Sequence, residues 1–301
     1  MFPRHSAVFV VVGLSALIQP ARGQSIPGKK LSNAPNPKIL TEVPAGPDNP
    51  VPVRHLDGSN QDDWSVAETA NFRVFHRRSR TLGDKAARLV ERTRAGLLRK
   101  WFGGDPKNWV EPCDVYLHVT REDYRRTTGA PAYSPGHSSF SWTGRGVMHR
   151  RIDLHCDEPN LLSGILLHET AHGVMAGQFG QRQVPRWADE GMAVLAEPRD
   201  TVHHHLRNLP DFRRDGRLFG LRELMEMSQY PPAERIPAFY AQSISLVQFL
   251  SDEKGPHVFT RFIGEGMDKG YEKALKDCYG WDFAELGNRW RRYAFGQEKG
   301  G

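Results

Sequence analysis

Two histidines and a glutamate stand at a spacing that can bind a metal ion. The stretch from Leu161 to Met175 contains His168, Glu169 and His172 in the order H-E-x-x-H. On a helix, side chains four residues apart lie on one face, so both imidazoles can reach a single tetrahedral ion at about 2.0–2.1 Å. Glu169 is rotated about 100° from His168. Its carboxylate therefore lies beside the ion, where it can take a proton from a metal-bound water.

A chance match on an amphipathic helix is the alternative interpretation of this motif. A chain with 13 histidines contains a random H-E-x-x-H in roughly a few per cent of cases. The surrounding helix is strongly apolar, and three polar side chains in it would be costly to bury without a partner such as a metal. A further carboxylate, Glu190, follows eighteen residues beyond His172 on the next predicted helix. Two histidines, one glutamate and an open fourth position are the ligand set of a catalytic zinc site.

Asp189, which precedes Glu190, has two interpretations. Its carboxylate can orient a ligating imidazole, or it can be an N-terminal helix charge that the helix dipole stabilises. Trp187 and Gly191 of the same helix are expected to support packing and close backbone approach rather than chemistry.

Other histidines are weaker candidates. The consecutive residues His203, His204 and His205 point in three directions on a helix and cannot converge on one ion. A second group of histidines lies on or near the predicted sheet, where each could face the site but is expected to be an ordinary sheet residue. That group is His118, His137, His149 and His155.

Three stretches of the chain resemble the gluzincin zinc metallopeptidases, and among them the bacterial secreted or membrane-associated peptidase MA-like proteins. They are His168 to His172, Pro185 to Ala193, and Phe239 to Ser243. In element order the resemblance covers residues 72–294.

The resemblance implies the roles of five residues. Zinc, one Zn²⁺ per chain, would be held by His168, His172 and Glu190. Glu169 would be the general base that activates the water and later passes the proton to the leaving amine. Gluzincins also carry a Tyr or His donor that stabilises the tetrahedral oxyanion, commonly downstream of the glutamate ligand. Tyr240 is the best match for that donor.

The resemblance also implies where a substrate would bind. In thermolysin-like folds an edge strand of the upstream sheet pairs with the substrate backbone, and by element order this strand would be Ser138 to Trp142. No exopeptidase-type motif for anchoring a substrate α-amine is found, so we expect an endopeptidase that acts on peptides or proteins. Two alternatives stay open: a catalytically inactive binding or scaffold protein of the cell envelope, and a zinc hydrolase of a non-peptide amide.

The elements that must position these residues follow from hydrophobic periodicity. Alternating patterns predict strands at 72–76 and 115–119 and a hairpin over 138–155. Helical spacing predicts helices at 83–102 and 121–126 before the hairpin. After Pro159 it predicts helices at about 160–178, 186–197, 220–228, 238–253, 256–266, 270–278 and 282–294.

This order predicts an α+β architecture rather than a doubly wound sheet. Together with the resemblance, it indicates a zincin-like fold: a small N-terminal mixed sheet with helices, a mainly α-helical C-terminal half, and an active-site cleft between them. The metallopeptidase domain is expected to span residues 64–296, with a β-rich part at 64–158 and a helical part at 159–296.

The first 23 residues have the features of a secretory signal peptide. Arg4 and His5 precede a twelve-residue apolar stretch from Ala7 to Ile18, and the small-x-small triplet Ala21 to Gly23 follows. Twelve residues at a rise of about 1.5 Å cannot cross a hydrocarbon core about 30 Å thick. We therefore expect a protein that is secreted or located in the periplasm or cell envelope, without a stable membrane span after signal removal.

Residues 24–63 contain seven prolines and no aromatic residue, so this segment has little to bury. It is expected to be a linker or a strap on the domain. A propeptide that covers the active site is the alternative.

Composition narrows the class of protein further. The chain has 301 residues, and 41 Lys plus Arg against 35 Asp plus Glu give a net charge of +6. Its 7 Trp, 8 Tyr and 15 Phe exclude a wholly disordered chain. Without a run of five or more basic residues, no nucleic-acid partner is expected, and the protein is expected to be a monomer. Three cysteines allow at most one internal disulfide, for which Cys113 with Cys156 is the preferred pair.

Overall fold

A mixed seven-stranded sheet forms the first half of the molecule in the computed structural model, which describes residues 8–12, 50–58, 63–77, 79–131, 133–143 and 146–296. The strand order is β1-β6-β7-β5-β4-β3-β2. Strands β4, β5 and β7 run parallel to one another, and the other pairings are antiparallel. The strands are β1 Val8–Val12, β2 Arg54–Leu56, β3 Ser65–Glu68, β4 Phe72–His76, β5 Cys113–His118, β6 Gly136–Thr143 and β7 Gly146–His155.

One face of the sheet packs against the long helix α1, Arg80–Phe102. In β4, Phe72 and Val74 point into this layer and are completely buried, as the alternating pattern predicts. Ala86 and Val90 of α1 are completely buried against the same strands. An apolar core therefore lies between the sheet and helix α1.

The second half of the described chain is helical, so the predicted α+β architecture is confirmed. A π-helical turn at Leu161–Ile165 leads into the helix that carries the H-E-x-x-H motif. The remaining helices are α2 Arg121–Thr128, α3 Leu166–Met175, α4 Arg186–Val194, α5 Arg199–Leu206, α6 Leu209–Arg214, α7 Leu221–Glu226, α8 Ile236–Lys254, α9 Pro256–Lys269, α10 Tyr271–Tyr279 and α11 Phe283–Phe295, with a 3₁₀ turn at Ala233–Arg235. Within the part of the chain that is described, no helix is both long and apolar enough to cross a membrane.

The packing of α3 and α4 places the functional motif in the core. Helix α3 contacts α1, β6, β7 and α4, and α4 packs closely against α8. At Gly191 a Cβ atom would lie 2.5 Å from Val247 Cγ2 and 2.9 Å from the Ser243 carbonyl oxygen. The close backbone approach expected at Gly191 is therefore present in the structure.

The structure differs from the predicted elements in its short segments. Strands β1, β2 and β3 and helices α5 and α6 were not predicted. Helix α6 begins with a proline in its first turn, and α5 carries mainly charged residues and histidines. These particular segments show too little hydrophobic periodicity to be recognised, because tertiary contacts rather than local patterns stabilise them.

Two described pieces of the N-terminal region join the sheet at its opposite edges. Strand β1 pairs with β6, with Val8 opposite Trp142 and Val12 opposite Ser138. It lies within the predicted signal peptide, whose residues 1–7 and 13–23 lie outside the described chain. In the predicted strap, β2 pairs with β3, and residues 24–49 and 59–62 lie outside the described chain.

The preferred disulfide between Cys113 and Cys156 is wrong. Cys113 begins β5 opposite Arg150, whereas Cys156 follows the last residue of β7. Because β5 and β7 are parallel, six residues of strand separate the two cysteines, roughly 20 Å at about 3.3 Å per residue. A disulfide requires Cα atoms within about 7 Å of each other.

Candidate metal centre

Three side chains of α3 and α4 converge on one point. The Nε2 atoms of His168 and His172 lie 3.1 Å apart. Glu190 Oε2 lies 3.4 Å from His168 Nε2 and 3.9 Å from His172 Nε2. Two ligands of a tetrahedral zinc ion, each about 2.0–2.1 Å from the metal, lie about 3.3–3.4 Å apart. The three measured separations bracket that value, so this donor set fits a zinc ion.

Each histidine of this group faces a carboxylate through its other ring nitrogen. His168 Nδ1 lies 2.8 Å from Glu197 Oε1, and His172 Nδ1 lies 3.0 Å from Asp189 Oδ1. With a proton on Nδ1, the Nε2 lone pair of each ring is directed into the group. The structure therefore places Asp189 against a candidate ligand, as the first of its two interpretations expects.

The electrostatics of the group favour bound positive charge. Burial lowers the pKa of His168 and of His172, but the surrounding carboxylates outweigh burial and raise both above the ordinary value. Burial likewise raises the pKa of Glu190, yet the two imidazoles and Tyr230 lower it to about 2. Glu190 is thus ionised over the ordinary pH range, and the group attracts protons or a metal cation.

Glu169 is completely buried and follows His168 directly on α3. It is not one of the three converging side chains. Burial is the main cause that raises the pKa of Tyr124 and of Tyr240, and the negative charge of Glu169 is a further cause for both. Glu169 therefore lies near tyrosines of both the sheet half and the helical half.

Tyr240, the predicted oxyanion donor, lies in α8 and is almost completely buried. Burial and the neighbouring Glu190 carboxylate raise its pKa well above the ordinary value, so its hydroxyl keeps its proton at neutral pH. Its ring stacks on that of His205 with centroids 5.8 Å apart. Burial lowers the pKa of His205 to about 4, which keeps this imidazole neutral.

Two residues that the sequence analysis did not single out also contact the group. Tyr230 donates a hydrogen bond to Glu190 Oε1, and Glu197 contacts His168. Tyr230 lies between α7 and the 3₁₀ turn, and Glu197 lies just beyond α4. Neither position carries a periodic or motif signal, so their involvement is visible only in three dimensions.

Two histidines of the sheet contact residues outside this group. His118 Nε2 contacts Asp153 Oδ1 at 2.8 Å, and His137 Nδ1 contacts the Tyr124 hydroxyl at 3.1 Å. Among the residues that the structure describes, no second cluster of three potential ligands matches the geometry of the first. In the run from His203 to His205, only His205 is buried.

The strand expected to pair with a substrate, Ser138 to Trp142, lies in β6 next to α3. One side of β6 pairs with β7 and the other with β1. This strand therefore lies beside the motif helix and pairs with an extended segment in antiparallel register.

Comparison with protein families agrees with this geometry. The family model of the Peptidase MA superfamily matches residues 109–296, which include β5 to β7 and all three converging side chains. The chain therefore belongs to the Peptidase MA superfamily, which supports a peptidase-type enzyme. No curated protein matches the chain significantly.

Proposed function

We propose that this protein is an exported, zinc-dependent endopeptidase. The observation that carries the proposal is the convergence of His168 Nε2, His172 Nε2 and Glu190 Oε2 in a buried group, with Glu169 as the residue next to His168. His168, His172 and Glu190 would hold the ion. Bound zinc would polarise the scissile carbonyl and acidify a water molecule.

The side chains of the protein carry the proton transfers in this mechanism. Glu169 accepts a proton from the attacking water as the new C–O bond forms, and delivers it to the leaving amine as the C–N bond breaks. The Tyr240 hydroxyl donates a hydrogen bond to the developing oxyanion. A zinc ion held only for structure would gain nothing from a base beside it, so Glu169 favours hydrolysis over a binding protein that merely retains the fold.

The proposed substrate is an extended peptide that lies along β6. The ladder between β6 and β1 supports this proposal, because Val8 to Val12 already pair with the strand in antiparallel register. Since residues 1–23 have the pattern of a signal peptide, their removal on export would make that edge available to substrate.

Peptide profiling tests the proposed function. The purified protein should contain about one zinc per chain and cleave a proteome-derived peptide library. Glu169→Gln should retain the zinc and lose the cleavages. If this variant cleaved as well as wild type, the proposed role of Glu169 would be wrong. If the protein contained no zinc after chelator-free purification, the proposed zinc site would be wrong.

A further inference from the structure

Glu197 is a buried carboxylate in the turn between α4 and α5. The backbone N–H of Ala196 donates to the Ala193 carbonyl and that of Glu197 to the Val194 carbonyl, so the chain turns tightly as α4 ends. The turn directs Glu197 back towards α3, and only 3% of the residue is exposed. A carboxylate at this depth is costly to bury unless a partner compensates its charge.

The partner of Glu197 is His168. Oε1 of the carboxylate accepts a hydrogen bond from His168 Nδ1 at 2.8 Å. Among the described residues, no lysine or arginine forms an ion pair with Glu197, and His168 is its one ion-pair partner. The carboxylate therefore does not belong to a surface ion-pair network, and its position is explained by the imidazole.

The nine-residue segment from Asp189 to Glu197 contacts both histidines of the converging group and contains its third member. Asp189 faces His172, Glu190 supplies the third ligand atom, and Glu197 bonds His168. The two supporting carboxylates act on different imidazoles of α3. One segment thus contacts both histidines while it contributes a candidate ligand of its own.

We propose that Glu197 is a positioning residue for metal binding, which holds His168 with its Nε2 lone pair directed at the ion. This inference rests on the proposed zinc site. The carboxylate selects the tautomer with a proton on Nδ1, restricts rotation of the ring and makes the imidazole a better donor. Loss of such a partner lowers metal affinity about 10–100-fold.

Zinc affinity, measured by competition with a chromophoric chelator, tests this role without a substrate. Glu197→Met removes the acceptor at similar volume and should raise the dissociation constant about 100-fold, whereas Glu197→Gln keeps an acceptor and should raise it about tenfold. Glu234→Gln, the same change at an exposed glutamate, should leave the constant unchanged.

Two further measurements separate positioning from stability. Thermal unfolding of the metal-free variants should show that each one folds, and the absorption spectrum of the Co²⁺-substituted protein should change in Glu197→Met but not in Glu234→Gln. If Glu197→Met does not fold, Glu197→Gln decides the question by its affinity and spectrum.

The outcomes distinguish the two proposals. Wild-type zinc affinity and an unchanged Co²⁺ spectrum in the folded Glu197 variants would overturn the positioning role while the proposed zinc site stands. A wild-type protein that binds neither Zn²⁺ nor Co²⁺ would overturn both.

Discussion

Tyr230 donates a hydrogen bond to Oε1 of Glu190, a residue forty positions earlier in the chain. The other oxygen, Oε2, is the atom that approaches the two histidine Nε2 atoms. The Arg186 guanidinium lies over the Tyr230 ring, 4.9 Å from its centroid. The tyrosine therefore engages one oxygen of the carboxylate and leaves the other free to approach the two histidines.

Removal of the Tyr230 hydroxyl should weaken metal binding. Loss of a hydrogen-bonding partner of a metal ligand typically lowers metal affinity about 10–100-fold, so Tyr230→Phe should raise the zinc dissociation constant at least about tenfold. Chelator competition measures the change. Tyr133→Phe removes a hydroxyl from an exposed tyrosine and is the matched control. Equal zinc affinity in Tyr230→Phe and wild type would contradict the argument.

Tyr240 should affect turnover rather than metal binding. If its hydroxyl stabilises the oxyanion, Tyr240→Phe should lower kcat by roughly 10²–10³ with zinc content unchanged. Steady-state kinetics on a peptide found by the profiling, together with zinc analysis of the same preparation, checks both parts. An unchanged kcat would transfer the role to another donor.

Metal removal should destabilise the fold. A ligand at about 100 times its dissociation constant stabilises the native state by about 2.7 kcal/mol, which corresponds to roughly 5–10 °C in Tm for a domain of this size. Excess chelator should lower Tm by that amount, and added zinc should restore it. A Tm that does not respond to either would indicate that the three converging side chains do not hold an ion.

Gly191 should not tolerate a side chain. In Gly191→Ala the new Cβ would collide with Val247 and the Ser243 backbone, which should cost about 1–3 kcal/mol and displace the adjacent Glu190. Gly287→Ala in α11 meets only the end of the Arg291 side chain, at 3.4 Å, and should be neutral or stabilising by up to about 1 kcal/mol. Denaturant unfolding and zinc affinity compare the two variants.

Asp153 should make stability depend on pH in the acid range. Burial raises its pKa, but hydrogen bonds with Arg151 and His118 outweigh burial and lower it below the ordinary value. Since the folded-state pKa is the lower one, this stabilisation is present above the unfolded value of about 3.9 and is lost as pH falls through the folded value.

Asp153→Asn should reveal this contribution. Removing one partner of a buried ion pair costs about 3 kcal/mol, so the variant should be less stable than wild type at pH 6 and approach it as pH falls below about 4. Denaturant unfolding across this range measures the difference. A difference that stays constant with pH would contradict the assignment.

Local patterns explain which parts of the fold were predictable. The strand Phe72–His76 has the predicted bounds, because alternation of apolar and polar residues depends only on the pleat. Helix α2 ends where Gly129 adopts a positive φ of 70°, as the glycine in the sequence indicates. The motif helix was also predicted, although its first turn is π-helical.

The sequence by itself determined that His168, Glu169 and His172 share one helix, because their spacing matches the helical repeat. It also indicated Glu190 as a candidate third ligand, because the stretch from Pro185 to Ala193 resembles the gluzincin metallopeptidases. Only the tertiary structure decided which groups surround these side chains. Glu197 lies 29 residues after His168, the residue that it contacts. Tyr230 lies 40 residues after Glu190, to which it donates a hydrogen bond. Such contacts depend on how the turns fold the helices together, and no local repeat encodes that arrangement.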